Sequence, residues 1–202
     1  MKKTLVILAL TIFSFANAQK GTVLVSGNVS FWANKDSDQG SESKYENFNF
    51  SPKVGYQFKD NWTVGVEAGF LSSKNEYTYQ ENESNNQERI TKNFSAGAFV
   101  RYSKSLSQMF LIYTDLGVGY QNHKETETNS FSTPSTTKTT FDGVYANFAP
   151  GLFINIKNNF GLNFGIGGLT YSNTKSDRNN GSSSNFYFNF GQTFSAGISK
   201  NF

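Results

Sequence analysis

The 202 residues hold 18 Lys and Arg, 15 Asp and Glu, one His and no Cys, a formal charge of +3. Thiol catalysis, disulfide staples and Cys-ligated metals are excluded, and so even a charge balance signals no nucleic-acid partner. Hydrophobic residues reach only 37% although Phe alone numbers 21. No segment beyond the N-terminal stretch is apolar enough to cross a membrane as a helix, so a membrane-spanning chain of this composition must be a closed β-barrel.

Residues 1–18, "MKKTLVILALTIFSFANA", join a basic start (Lys2, Lys3) to an apolar run and a small-x-small site, Ala16-Asn17-Ala18. That pattern predicts a cleaved signal peptide. Its apolar run is well short of the ~20 residues of a spanning helix. Residues 19–202 remain as one domain. With Lys2 and Lys3 removed, 16 basic residues face 15 acidic ones.

From Thr22 onward the apolar residues recur with period two, the repeat of strands. Eight strands are predicted in chain order: Thr22–Phe31, Asn47–Phe58, Trp62–Phe70, Asn93–Tyr102, Phe110–Tyr120, Val144–Ile156, Phe160–Gly167 and Asn185–Phe202. In the third, Trp62, Val64, Val66, Ala68 and Phe70 oppose Thr63, Gly65, Glu67 and Gly69. In the last, Phe186, Phe188, Phe190, Phe194, Ala196, Ile198 and Phe202 share a face against Asn, Gly, Ser and Thr. Pro52 and Pro150 interrupt two strands, and each is expected to mark a bulge because proline cannot donate to a ladder.

The connections differ at the two ends. Lys59–Asn61, Ser103–Gln108 and Lys157–Asn159 are short, whereas Asn34–Lys44, Lys74–Glu88, Asn122–Thr139 and Asn173–Ser184 are longer and polar. That segregation is typical of an outer-membrane barrel. Volume then orients the faces. Eight strands enclose a lumen just wide enough for side chains to fill, so the bulky aromatic face cannot all point inward and must meet lipid. Phe58, Trp62, Tyr102, Phe110 and Phe160 form an aromatic girdle beside the short turns. Phe31, Phe48, Phe70, Tyr120 and Phe186 form another beside the long loops.

On the inward face, Lys53, Glu67, Arg101 and Asp115 fall on four consecutive strands. Buried charges of opposite sign pair, because an isolated one is very costly. A lumen ion network is the expectation, with a gated ion path or a carboxylate pair for acid/base work as the alternatives. His123, the single histidine, lies at the root of a long loop and reads as a solvated loop residue. One histidine and scattered carboxylates make no metal site, and no cofactor is expected.

With these features the chain resembles the small eight-stranded outer-membrane β-barrels of Gram-negative bacteria, the group of OmpX, the OmpA membrane domain and OmpW-like proteins. The resemblance spans the region after residue 18. It implies an all-β, antiparallel up-and-down transmembrane barrel in the outer membrane, with periplasmic termini and loops outside the cell. It also implies an assembly signal for the barrel-assembly machinery in Phe194, Ala196, Ile198 and Phe202. Lys200 departs from the apolar residue usual in that signal. The expected function is a non-enzymatic, structural or adhesion-type surface role for a monomer among outer-membrane lipid and lipopolysaccharide, with loops that could hold a surface ligand. A narrow porin-like or OmpW-like channel for small molecules is the first alternative. An outer-membrane lipid-modifying enzyme is the second, though the Ser/His pair of such enzymes is not visible around His123.

Overall fold

The computed structural model describes residues 21–79, 86–130, 134–179 and 181–202, without the side chains of 192–194; the expected signal peptide at 1–18 lies outside the described residues. Eight antiparallel strands follow one another around a closed barrel: β1 (Val23–Asp38), β2 (Ser41–Lys59), β3 (Trp62–Tyr79), β4 (Gln87–Ser105), β5 (Phe110–Asn129), β6 (Ser135–Lys157), β7 (Phe160–Ser176) and β8 (Ser182–Asn201). The turns at one end are short for a local reason. Asn61 sits at φ 68°, and Asn158 and Asn159 at 51° and 57°. Asn tolerates this left-handed region, which two-residue hairpin turns demand.

The strands are much longer than the apolar alternation predicts. They run 16–23 residues, against the ~9–11 that a tilted strand needs to cross a bilayer. The segments expected as long loops are mostly ladder: β1 and β2 pair continuously out to Asp38↔Ser41, and β4 and β5 out to Gln87↔Asn129. Above the outer aromatic ring both faces are wet, so the apolar period disappears while the backbone goes on pairing. Charge replaces grease there. Glu42 bonds Lys35 at 2.7 Å and Lys44 at 2.9 Å. Lys74 bonds Glu76 at 2.7 Å and Glu88 at 2.9 Å, and Arg89 engages Glu125 and Glu127.

Inside and outside are as the volume argument requires. Val66, Val118, Phe186, Phe188 and Phe190 are exposed on the outer surface, while Glu67, Arg101, Asp115, Asn163 and Ser199 are buried.

The two prolines behave differently. Pro52 pairs in register with Gly27, which corrects the expected bulge. Between β2 and β3 the ladder passes from Phe50↔Phe70 to Lys53↔Glu67 without a shift, and Pro52 occupies that interval. Pro150 does lie in a register shift, between Phe148 and Gly151 on the β7 side. The extra residue belongs to β7, where Gly167 has φ +97° and a Cβ on Gly168 would lie 2.1 Å from the Phe148 carbonyl oxygen. The bulge turns the face over, so Leu169 and Tyr171 point outward beyond it. β8 answers with a larger irregularity, because the register passes from Gly167↔Phe190 to Gly165↔Ser195. The even alternation expected from Phe186 to Phe202 is interrupted there.

Closure is uneven. β1 meets β8 over Leu24↔Asn201 to Gly27↔Ile198, extended by mutual backbone bonds between Val23 and Phe202 at 3.1 and 3.0 Å. Above Gly27, among the described residues, the two edges do not pair.

Candidate functional site: the charged lumen

The register assembles the four inward charges. Lys53 stands opposite Glu67 on the β2–β3 ladder, and Arg101 opposite Asp115 on the β4–β5 ladder. Side chains then cross the lumen. Lys53 Nζ lies 2.7 Å from Glu67 Oε2 and 2.9 Å from Asp115 Oδ2. Arg101 donates from Nε to Asp115 Oδ1 at 2.6 Å and from Nη2 to Oδ2 at 2.9 Å. Asp115 is only 2% exposed, so its charge is held by partners in place of water. Two cations and two carboxylates cancel.

Aromatic and amide neighbours complete the cluster, and the apolar alternation does not single them out. Tyr145 donates its hydroxyl to Glu67 Oε1 at 2.9 Å, and Asn147 donates Nδ2 to the same oxygen at 3.4 Å. The Arg101 guanidinium lies 4.0 Å from the Tyr113 ring centroid, and Lys53 Nζ lies 5.1 Å from that of Phe99, both within cation–π range. Phe99 is the one large side chain fully buried among the described residues. Strand parity was the available signal, since Phe99 shares Arg101's face and Tyr113 shares Asp115's.

Glycine makes this packing possible. A Cβ on Gly65 would lie 2.7 Å from the Phe99 ring, and one on Gly117 would lie 2.6 Å from Glu67 Oε1 and 2.5 Å from Asn147 Oδ1. The inward glycines are therefore the space into which the large lumen residues fit.

The cluster divides the lumen. A cavity of about 550 Å³ opens above it, and two of about 200 Å³ lie lower. Lys53, Asp115 and Tyr113 line the middle one, and Arg101 lines both the middle and the lower. Chemically, both carboxylates already accept from cations, and the group that stands between them is the Lys53 ammonium. His123, expected in a loop, is instead part of β5. It pairs with Asn93 and Phe141 across the two ladders, hydrogen-bonds Asn93, and lies against the Phe141 ring at 5.4 Å on the wall of the upper cavity. Among the described residues no group of three or more His, Asp or Glu could hold a metal ion.

The girdle positions Phe58, Trp62, Tyr102, Phe110 and Phe160 are all exposed at the short-turn end, and Trp62 meets Tyr102 at 5.1 Å. Of the four C-terminal signature residues, Ala196, Ile198 and Phe202 face outward, and the Phe194 side chain lies outside the described residues. Lys200 folds its ammonium over the Phe202 ring, 4.5 Å from the centroid.

The family model described as the outer membrane protein beta-barrel domain matches residues 4–194. In fold the chain is similar to a major outer membrane protein from Thermus thermophilus at 13% identity and a TM-score of 0.52, covering 91% of this chain and 100% of that one. It is also similar to Ail, the attachment invasion locus protein of Yersinia pestis, at 16% identity and a TM-score of 0.42 over 90% and 97% of the two chains. Neisserial surface protein A gives 16% identity and a TM-score of 0.32 over 90% and 97%. No curated protein matches the sequence.

Proposed function

We propose that this chain, which belongs to the outer membrane protein beta-barrel domain family and so lies in the bacterial outer membrane, serves as a monomeric surface-display barrel. Export by the signal peptide at residues 1–18 and recognition of its last strand by the barrel-assembly machinery are part of this reading. The barrel sits among outer-membrane lipid and lipopolysaccharide and carries four hairpins out from the cell. The observation that carries the reading is the overshoot of the strands, up to 23 residues, which continue past the outer aromatic ring as paired ladders, ion-paired from β1 to β5. Surfaces presented on a rigid scaffold are where binding tends to concentrate.

The lumen argues against the channel alternative. Neutralised charges and a buried Phe99 narrow its middle, which supports reading the outer end as the working surface. Refolded protein is tested by pull-down of surface ligands against a version with its hairpins shortened to the outer aromatic ring. Capture that depends on the hairpins supports display; equal capture by both versions, or steady single-channel steps in a planar bilayer, contradicts it.

A further inference from the structure

We propose that the upper lumen is a binding cup for an uncharged saccharide, reached sideways through the gap between β1 and β8. The inference is independent of what the hairpins hold. The cup's volume of about 550 Å³ falls among small-molecule sites, about 300–1,000 Å³. Its wall presents the amides of Asn49, Asn93, Gln121 and Asn185 beside the apolar Leu71 and Phe141. An amide both donates and accepts, as a sugar hydroxyl does, and a ring such as Phe141 offers a flat apolar platform for a pyranose face.

Charge narrows the ligand further. Among the described wall residues there is no Lys or Arg to hold an anion, and the His123 ring is engaged by Asn93 and Phe141. The wall carboxylate, Glu125, lies 3.3 Å from Arg89 and is already paired. A wholly apolar guest would strip water from the amides without replacing it. A neutral polyhydroxylated ring satisfies both the amides and the platform.

The gap supplies the route. β2 to β8 all contribute to the cup's wall, whereas β1 contributes none among the described residues. Pairing of β1 with β8 stops at Gly27↔Ile198, below the cup. Two large aromatics flank the opening near the cup's height: Trp32, two residues from the level of Asn49, and Tyr187, two residues from that of Ser172. Both sit on the inward side of their strands, yet they are 60% and 59% exposed. They adjoin Phe31 and Phe186 of the outward aromatic ring, whose height is that of the headgroup layer. The saccharide can therefore come from solution or as the headgroup of a glycolipid in the outer leaflet.

The test uses Trp32 as reporter, since Trp32 and Trp62 are the only tryptophans and Trp62→Phe leaves Trp32 alone. The full barrel is placed in phosphatidylcholine nanodiscs and titrated with maltotriose, dodecyl maltoside, and octaethylene glycol dodecyl ether as the sugar-free tail. A saturable change in Trp32 emission with maltotriose supports a soluble source. A change with dodecyl maltoside alone supports a lipid-borne one. No saturable change with either sugar, or the same curve with the sugar-free tail, overturns the proposal. In the responding titration, Asn49→Ala with Gln121→Ala should raise the midpoint by about tenfold, as loss of two hydrogen bonds implies. Phe141→Ala should raise it as well. Unchanged midpoints in variants with native circular dichroism overturn the placement in the cup.

Discussion

Arg101 and Asp115 face each other across the β4–β5 ladder and are joined by two parallel hydrogen bonds, 2.6 and 2.9 Å long. That fork is bidentate, the geometry that Arg supplies and Lys does not. Lys53 adds a third contact to the same carboxylate. Asp115 is thus the hub of the lumen network.

Replacing Arg101 with Leu leaves the hub carboxylate short of a cation. Loss of one member of a buried pair costs about 3–5 kcal/mol, whereas an apolar exchange of both is often close to neutral. Denaturant unfolding of refolded Arg101→Leu should show a loss of that order. Arg101→Leu with Asp115→Leu should recover most of it, since Lys53 keeps Glu67. Wild-type stability in the single variant would count against the network.

The glycine face gives a second test. Gly117→Val places a branched side chain where a Cβ already meets Glu67 and Asn147. Overpacking of this kind costs roughly 1–3 kcal/mol. Gly40→Val, where nothing lies within 4 Å although φ is +89°, introduces only backbone strain at the tip of β1–β2. The two unfolding midpoints should separate, with Gly117→Val the lower when unfolding is followed at the barrel.

Outside the membrane, the hairpins should respond to pH in opposite senses. Hydrogen bonds from Lys35, then Lys44, hold the Glu42 carboxyl below its ordinary value. A lowered folded value gives stability that is full above the ordinary carboxylate range and is lost as pH falls through the folded value. Lys74 is raised by its bonds to Glu76 and then Glu88, so its contribution is full below the ordinary lysine value and is lost as pH rises through the folded one. Amide protection relative to the intrinsic exchange rate at each pH should fall at the β1–β2 tip in acid, and on the outer β3–β4 hairpin in strong base. Glu42→Gln should abolish the first response without touching the second.

At the C-terminus, Phe202 contributes through both its backbone and its ring. The backbone bonds with Val23 survive Phe202→Ala, so refolding in detergent should be nearly unchanged. Delivery to the outer membrane in cells should fall several-fold if the ring is what the assembly machinery reads. Equal membrane levels of variant and wild type would show that it is not.

The barrel was legible wherever one face meets lipid and the other the lumen. Val64, Val66, Ala68 and Phe70 against Thr63, Gly65 and Glu67 could be read in one way only. The outer halves were not legible. Around the cross-strand pairs Lys35↔Lys44 and Arg89↔Glu127 both faces meet water, and no period survives to separate ladder from loop. The β7 bulge was hidden because Gly167-Gly168 carries no side chain to announce a change of face. Of the lumen cluster, the charges stood out chemically, but Phe99 and Tyr145 did not. An inward aromatic between outward Ala98 and Val100, or between Val144 and Ala146, reads as part of a continuous apolar run. Pro52 misled because its missing donor falls in an interval where the β2–β3 register carries straight on.

The central claim is the orientation of the apolar face, and a single tryptophan at Val66, which is 63% exposed on the outer surface, tests it most directly. In a background carrying Trp32→Phe and Trp62→Phe, Val66→Trp is reconstituted in bilayers and its emission quenched with brominated phospholipids or aqueous iodide. The account predicts strong quenching by lipids brominated within the acyl chains and almost none by iodide. Quenching by iodide with no response to brominated lipid would contradict it, and would mean that the aromatic face does not meet the bilayer.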